Sequence, residues 1–547
     1  MAVTAVMAVY DLIVRGGVVI DGSGRPRRPA DVGVARGRIA AVGAPALKTQ
    51  SAAPAAEVID ATGLCVAPGF IDIHSHSDVT LLVDGGAESK LGQGVTTEVV
   101  GNCGTSPAPL DGAARARAAP GFARWGIDVD WHDVAGYLGR LAGGVAVNVA
   151  TLVGHGTLRA GVYGYQAGRP GGAAWRRVRQ ALDEALRQGA FGLSLGLGYA
   201  PGCYADVAEL SDLAAVVAGA GGFVSVHLRG EGELLLPSLD EALEVAARSG
   251  ARLQVSHLKA AGRGAACGER LQAAFARLDA ARGRGLDVGC DFYPYAAAST
   301  TIAALFPPWT HDGGLEALKH RLRDSALWPV IATEMAAGRP DWDSPAAAAG
   351  WDGVVVTRAG SNRPDLPGRS LQDLAAGAGV SPAACARDLA LAEDGSVGIV
   401  LHMMREEDVT EVAAWGGSAV ASDAAALSPR GPLGEGRPHP RAYGAFPRAL
   451  AWLWREAGVW RLEEAVRRMT GLPARVAGLP ERGAIRPGAW ADLVVFDPAQ
   501  VADAATYDEP HRLPRGIPWV VVNGRVAVRG GAPTGVRAGH VLRRGAG

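Results

Sequence analysis

The segment GFIDIHSHSD places His74 and His76 two residues apart at the end of an apolar run. On an extended strand, residues i and i+2 point to one side, so the two imidazoles converge. Imidazole is a frequent ligand of zinc-like cations. Three further apolar runs close in the same manner: GFVSVHL on His227, RLQVSHLK on His257 and SAVASDA on Asp423. One strand-end histidine is ordinary as a hydrogen-bonded core residue. Four strand ends each closing on His or Asp point to a shared cation site. Cys103 in VVGNCGTSP follows another apolar run, in a glycine-flanked turn. A thiolate there is a good zinc ligand, because the metal holds it deprotonated. Cys65, Cys203, Cys267, Cys290 and Cys385 read as small buried apolar residues.

These residues need a scaffold that brings strand ends together. Eight strand candidates are legible: VAPGFIDIH (66–74), VTTEVVG (95–101), VAVNVATLVG (145–154), FGLSLGL (191–197), GFVSVHL (222–228), RLQVSHLK (252–259), LDVGCDFYP (286–294) and SAVASDA (418–424). Between several of them lie stretches apolar at i, i+3 and i+4, such as 175–189 and 238–250. Eight β-then-α units predict an α/β chain of the (β/α)8 barrel type, whose active sites sit at the C-terminal ends of the strands. GVVVTR (353–358) and VGIVLHMM (397–404) do not fit the count. They are assigned to an insertion over 302–415, before the last barrel strand, as a candidate lid. The two ends, 1–66 and 482–547, are rich in short β runs, with a hairpin-type Asn523-Gly524. Each end has too few strands to stand alone. They are expected to form one small β-sandwich domain beside the hydrolase barrel at 67–481.

Composition narrows the function classes. The chain has 547 residues, 48% apolar and 20% charged, with a formal net charge of −1. That balance excludes wholesale disorder and a nucleic-acid or anionic-membrane binder that works by bulk charge. Six cysteines are too sparse for a disulfide scaffold. The start, MAVTAVMAVYDLIV, lacks the basic region of an export signal. The longest uncharged run, between Arg140 and Arg159, contains Asn148, His155 and four glycines, which suits a buried strand and loop rather than a membrane span. A cytoplasmic protein is expected, and nothing in the sequence marks an oligomeric interface.

PGFIDIHSHSD after a β-rich start, the two later strand-end histidines and the Ser422-Asp423 pair together resemble the amidohydrolase superfamily. Within it, GNCGTSPAP, YAPG (199–202), VSVHLRGE, QVSHLK, DFYPYAAAST, HPRAYGAFPRAL and MTGLPARVAGLPERGAIRPGAWADLVVFDP are similar to the N-acyl-D-amino-acid deacylases, or D-aminoacylases. The resemblance covers about 10–300 and 415–545 and is weak over 302–415. It implies a zinc enzyme that hydrolyses the amide of a small N-acyl-D-amino acid to a carboxylate and a free D-amino acid. Another amide, a D-residue dipeptide or a cyclic amide stays open as the substrate. A non-enzymatic relative would have lost ligand positions, whereas all six are filled here.

The same resemblance assigns roles. Cys103, His227 and His257 would hold one tight zinc, and His74, His76 and Asp423 would frame a second, weaker metal position. Asp423 would be the catalytic acid–base group. Tyr293, Ser299 and Arg441 would bind the substrate α-carboxylate, and Lys259 would point into the same site. Arginine suits that clamp because its planar fork binds a carboxylate through two parallel hydrogen bonds. Many amidohydrolases bridge two metals with a carbamylated lysine lying between the HxH and the next histidine. The lysines here are Lys48, Lys90, Lys259 and Lys319, none of them between Cys103 and His227, and the resemblance implies Cys103 as the substitute. His155 is a candidate to sit behind the ligands; His439 receives no role. Asp423 is followed by three alanines where the family has glycine and a polar turn, so the loop shape beyond it does not carry over.

Overall fold

The computed structural model describes residues 10–43, 57–360 and 363–545. The segment read for an export signal falls mostly on 1–9, and Lys48 falls on 44–56; both lie outside the described residues. Eight parallel strands make the central layer: β1 (Phe70–Asp72), β2 (Val95–Val100), β3 (Asn148–Thr151, resumed at Val153–Gly154), β4 (Gly192–Gly196), β5 (Phe223–His227), β6 (Arg252–Val255), β7 (Val288–Phe292) and β8 (Ser418–Val420). Each pairs with the next in parallel, for example Ala150 with Val99, Val153 with Leu193, Val226 with Val255 and Phe292 with Val420. The ring closes beyond β8, where Asp423 N–H donates to the His74 carbonyl at 2.9 Å and His76 N–H to the Ala424 carbonyl at 3.2 Å. β2, β4 and β7 are buried along their whole length, as expected when helices cover one face of a parallel sheet and the barrel interior the other. The helix at Gly172–Arg187 shows why: Val178, Leu182, Ala185 and Leu186 form its one buried stripe.

The apolar run 66–74 is not one strand. Cys65–Pro68 belongs to a seven-stranded sheet and pairs antiparallel with Leu493–Phe496, while β1 starts only at Phe70. The chain changes sheets at Pro68-Gly69, and a Cβ at Gly69 would come within 2.2 Å of the Thr96 side chain. That seven-stranded sheet draws strands from both ends of the chain, and a four-stranded sheet beside it draws all of its strands from residues 12–60. They share a core that includes Leu12, Val14, Ile39, Leu493 and Val521. In the hairpin between Trp519–Val522 and Arg525–Arg529, Asn523 and Gly524 both have positive φ, at 47° and 79°. A buried polar joint ties this region to the barrel. Arg482 pairs with Asp492. The Asn523 side-chain amide donates to Asn148 Oδ1 on β3 at 2.7 Å.

The insertion before β8 has different limits from 302–415. Its first strand is Ala298–Thr301, which pairs antiparallel with Gly398–Leu401, itself paired with Val354–Arg358. The two apolar runs that spoiled the strand count are therefore a separate small sheet. It has its own core, around Ile302, Leu305, Ile331, Val356 and Ile399. The helix Glu406–Ala414 packs on the helix Ala266–Gly283 and on β7 and β8, and so completes the barrel rather than the insertion.

Candidate metal centre and active site

Every sequence-predicted ligand lies at, or within four residues of, the C-terminal end of a barrel strand: His74 and His76 after β1, Cys103 after β2, His227 closing β5, His257 after β6 and Asp423 after β8. They meet in two overlapping sets. Among the described residues, Cys103, His227 and His257 present ligand atoms within 4.8 Å of one another, and so do His74, His76, Cys103 and Asp423. Cys103 Sγ lies 3.3 Å from His74 Nε2 and 3.6 Å from His257 Nε2. His227 Nδ1 is 2.8 Å from His257 Nε2. Asp423 Oδ1 is 2.9 Å from His76 Nε2 and 3.3 Å from His74 Nε2.

Such a gathering of donors needs a shell that holds it. Three of its members, Cys103, His257 and Asp423, have positive φ, at 52°, 35° and 49°. Backbone of that kind costs about 1–3 kcal/mol per residue and persists only where the surroundings impose it. Asp291, at the end of β7, imposes two positions at once. Its Oδ1 accepts the His257 main-chain N–H at 2.7 Å and lies 3.0 Å from His74 Nδ1, which turns His74 Nε2 towards Cys103. Lys259 Nζ bonds Glu231 at 2.6 Å and lies 2.8 Å from His257 Nδ1, so it steadies that ring from behind as well as lining the cavity. Lys90, fully buried, donates to Asp72 Oδ2 at 2.7 Å, to Ser422 Oγ at 2.8 Å and to the Ala424 carbonyl at 2.8 Å, and pairs with Glu98 at 3.1 Å. It thereby pins both neighbours of Asp423, and is held as a cation by the two carboxylates rather than being free as a bridge between metals.

The electrostatics suit a cation. Burial would raise the Cys103 thiol pKa, but the charge of His74 and hydrogen bonds from His227, His257 and His74 hold it well below the usual thiol range. Burial would likewise raise the Asp423 carboxyl, yet Arg441, His74 and His257 keep it well below the usual carboxylate range. A thiolate, four imidazoles in reach of it and a carboxylate form an N/S/O donor set of the kind zinc prefers.

The predicted substrate groups divide. Arg441 is buried, 2.9 Å from Asp423 Oδ2, with its guanidinium 4.4 Å above the Tyr293 ring, and its Nε has no hydrogen-bond partner. Tyr293 is buried too, and its hydroxyl has no partner. Tyr293 lines the cavity that opens on the ligands, and Arg441 lines an adjoining cavity that shares His76 and Asp423 with it. Ser299 lines the same cavity, but its hydroxyl donates to the Ile399 carbonyl across the insertion sheet at 3.1 Å. His155 does not join the ligands; its Nε2 is 2.9 Å from Glu209, beside Arg159, in a separate buried cluster. His439, left without a role by the sequence, supports Arg441: its Nδ1 accepts the Arg441 main-chain N–H at 3.0 Å. Burial and then Arg441 push its pKa well down, so it stays a neutral acceptor. Asp291, Glu231 and Lys90, which buttress the cluster, received no site role from the sequence. Asp291 had the same signal as the ligands, a polar residue near the end of a buried strand.

A closed parallel barrel with these donors at one rim defines the class of metal-dependent barrel hydrolases. The chain belongs to the Amidohydrolase family, whose model matches residues 57–528. It is 39% identical to an N-acyl-D-glutamate deacylase of Alcaligenes xylosoxydans xylosoxydans over 98% of this chain and 97% of that one. It is 36% identical to a D-aminoacylase of the same organism over 98% of both. Among solved structures, an N-acyl-D-glutamate deacylase from Bordetella bronchiseptica, complexed with zinc and a phosphonate mimic of the tetrahedral intermediate, matches 98% of this chain and all of that one. The TM-score is 0.82 at 36% identity.

Proposed function

We propose that this protein hydrolyses the amide of N-acyl-D-amino acids to a carboxylate and a free D-amino acid, with zinc as its cofactor. The observation that carries the proposal is the pair of donor sets sharing Cys103, beside two buried, unpartnered donors on Tyr293 and Arg441. Cys103, His227 and His257 would hold the tight zinc, and His74, His76 and Asp423 the weaker position. Bound zinc supplies an activated water and a Lewis acid for the amide carbonyl.

The chain's own residues do the rest. Asp423, ionised beside Arg441 and the histidines, takes the proton from the attacking water and passes it to the leaving nitrogen. Arg441, from the adjoining cavity, and the Tyr293 hydroxyl hold the α-carboxylate, with Lys259 and Ser299 lining the cavity that Tyr293 lines. The insertion sheet, which contributes Ser299 and Leu401 to the cavity wall, would act as the lid that excludes water. Among the described residues no helix is long and apolar enough to cross a membrane, and we place the enzyme in the cytoplasm. The test is amine release from N-acetyl-D-amino acids, their L-enantiomers and a cyclic amide, with zinc added. Turnover of the D-series alone is expected; turnover confined to the cyclic amide would overturn the proposal.

A further inference from the structure

The cavity that opens on the ligands has a volume of about 430 Å³, and its wall away from them is unusually free of usable charge. Ala261, Ala304, Trp342, Ala348, Leu401 and Met403 form much of that wall. The charged side chains that reach the cavity outside the ligand sets are all engaged. Arg229 is held by Glu241 at 2.8 and 3.0 Å and by the carbonyls of Cys203 and Ala205. Asp343 Oδ2 accepts the main-chain N–H groups of Gly232 at 2.8 Å and Leu234 at 3.2 Å. Glu231 and Lys259 are paired with each other. Two of these four groups are carboxylates, and each cation already holds a carboxylate, Arg229 that of Glu241 and Lys259 that of Glu231.

We infer that this cavity receives the side chain of the D-amino acid and selects a neutral, apolar one over an acidic one. The inference rests on the deacylase reading. The carbon that carries the α-carboxylate also carries the side chain. A carboxylate held at Tyr293 therefore starts the side chain inside the cavity that Tyr293 lines. A second carboxylate would lose its water there, facing Glu231 and Asp343, with no free cation to replace the hydration. A thioether, branched alkyl or phenyl group instead meets alanine, leucine, methionine and tryptophan surface, and the volume falls within the range that small-molecule pockets use. The acyl group then lies towards the neighbouring cavity of about 350 Å³, which shares His76, Ser299 and Asp423 and is bounded by Trp125 and Leu433. Similarity to a glutamate deacylase at 39% identity would suggest the opposite preference.

The experiment measures kcat/KM of the zinc-loaded enzyme for the N-acetyl derivatives of D-alanine, D-methionine, D-leucine, D-phenylalanine, D-glutamate and D-aspartate. A second arm lengthens the acyl group on D-alanine from acetyl to hexanoyl. The expected result is at least a 100-fold preference for D-methionine or D-leucine over both acidic residues. Enlarging the side chain raises kcat/KM at least tenfold over D-alanine, and lengthening the acyl group changes it less than threefold. Ala348→Phe, and independently Ala304→Leu, lower the ratio of D-phenylalanine to D-alanine activity at least tenfold. Acidic substrates within tenfold of the apolar ones would overturn the inference and leave the deacylase reading intact, as would a gain that follows the acyl chain. No turnover of any N-acyl-D-amino acid would overturn the deacylase reading itself.

Discussion

Asp423 and Lys90 show how far single residues at this rim depend on one another. Asp423 sits at φ 49° between Ser422 and Ala424, both bonded to Lys90. Asp423→Asn keeps the shape but removes the base. It should leave the Cys103–His227–His257 set able to bind zinc while kcat falls by about 10³-fold or more, as expected when general acid–base catalysis is lost. Metal analysis and steady-state kinetics on one preparation check this, and a variant with full activity contradicts the assigned role. Lys90→Met removes the cation from two buried carboxylates, Asp72 and Glu98. Leaving such groups unpaired should cost about 3–5 kcal/mol of stability. Urea unfolding measures it, and a change below about 1 kcal/mol would mean that the interior carboxylates are protonated or solvated instead.

At the scale of elements, the barrel was legible because its strands are largely apolar runs, several of which end on a histidine or an aspartate. His74 and His76 stood out by their i, i+2 spacing. Asp291 shares the strand-end position of the ligands but stands alone inside GCDFYP, and its distances to His74 and the His257 main chain show its use. The run 66–74 looked continuous because apolar pattern does not reveal that Pro68-Gly69 hands the chain from one sheet to another. The insertion limits were missed for a related reason: Ala298–Thr301 and Glu406–Ala414 are set by what they pack on, not by their own periodicity. The insertion also has a pH dependence. Burial pushes His311 down to about 4, against hydrogen bonds that its ring donates to main-chain carbonyls at Phe306 and Ala303, which raise it. Unfolded histidine binds a proton near pH 6.5 and the folded one only near 4, so acid favours the unfolded chain and stability falls as pH drops between those values. Thermal unfolding at pH 7 and pH 5 should show a smaller loss in His311→Gln than in the parent. An equal loss would place the titration elsewhere.

For the whole molecule, the terminal sheets and the barrel meet at a buried polar joint. Arg482 bridges Asp492 and Asn523, Asn148 Nδ2 on β3 donates to Asp492 at 3.2 Å, and Asn523 donates back to Asn148. Groups from the C-terminal end of the chain and from the barrel share one hydrogen-bonded cluster, so neither region opens without exposing unsatisfied partners in the other. Arg482→Met should destabilise by about 3–5 kcal/mol, because Asp492 stays buried without its cation, and tryptophan fluorescence and activity should be lost together. Separate transitions would show that the two regions unfold independently.

The same gathering from distant parts of the chain makes the candidate metal centre. The most direct measurement is zinc per chain in the purified protein and in Cys103→Ala, each after dialysis and with D-amino-acid release followed in parallel. The account predicts tightly retained zinc in the parent, activity that tracks its occupancy, and loss of both in the variant. Full activity after the zinc is stripped, or zinc retained at the parent level by Cys103→Ala, would contradict it.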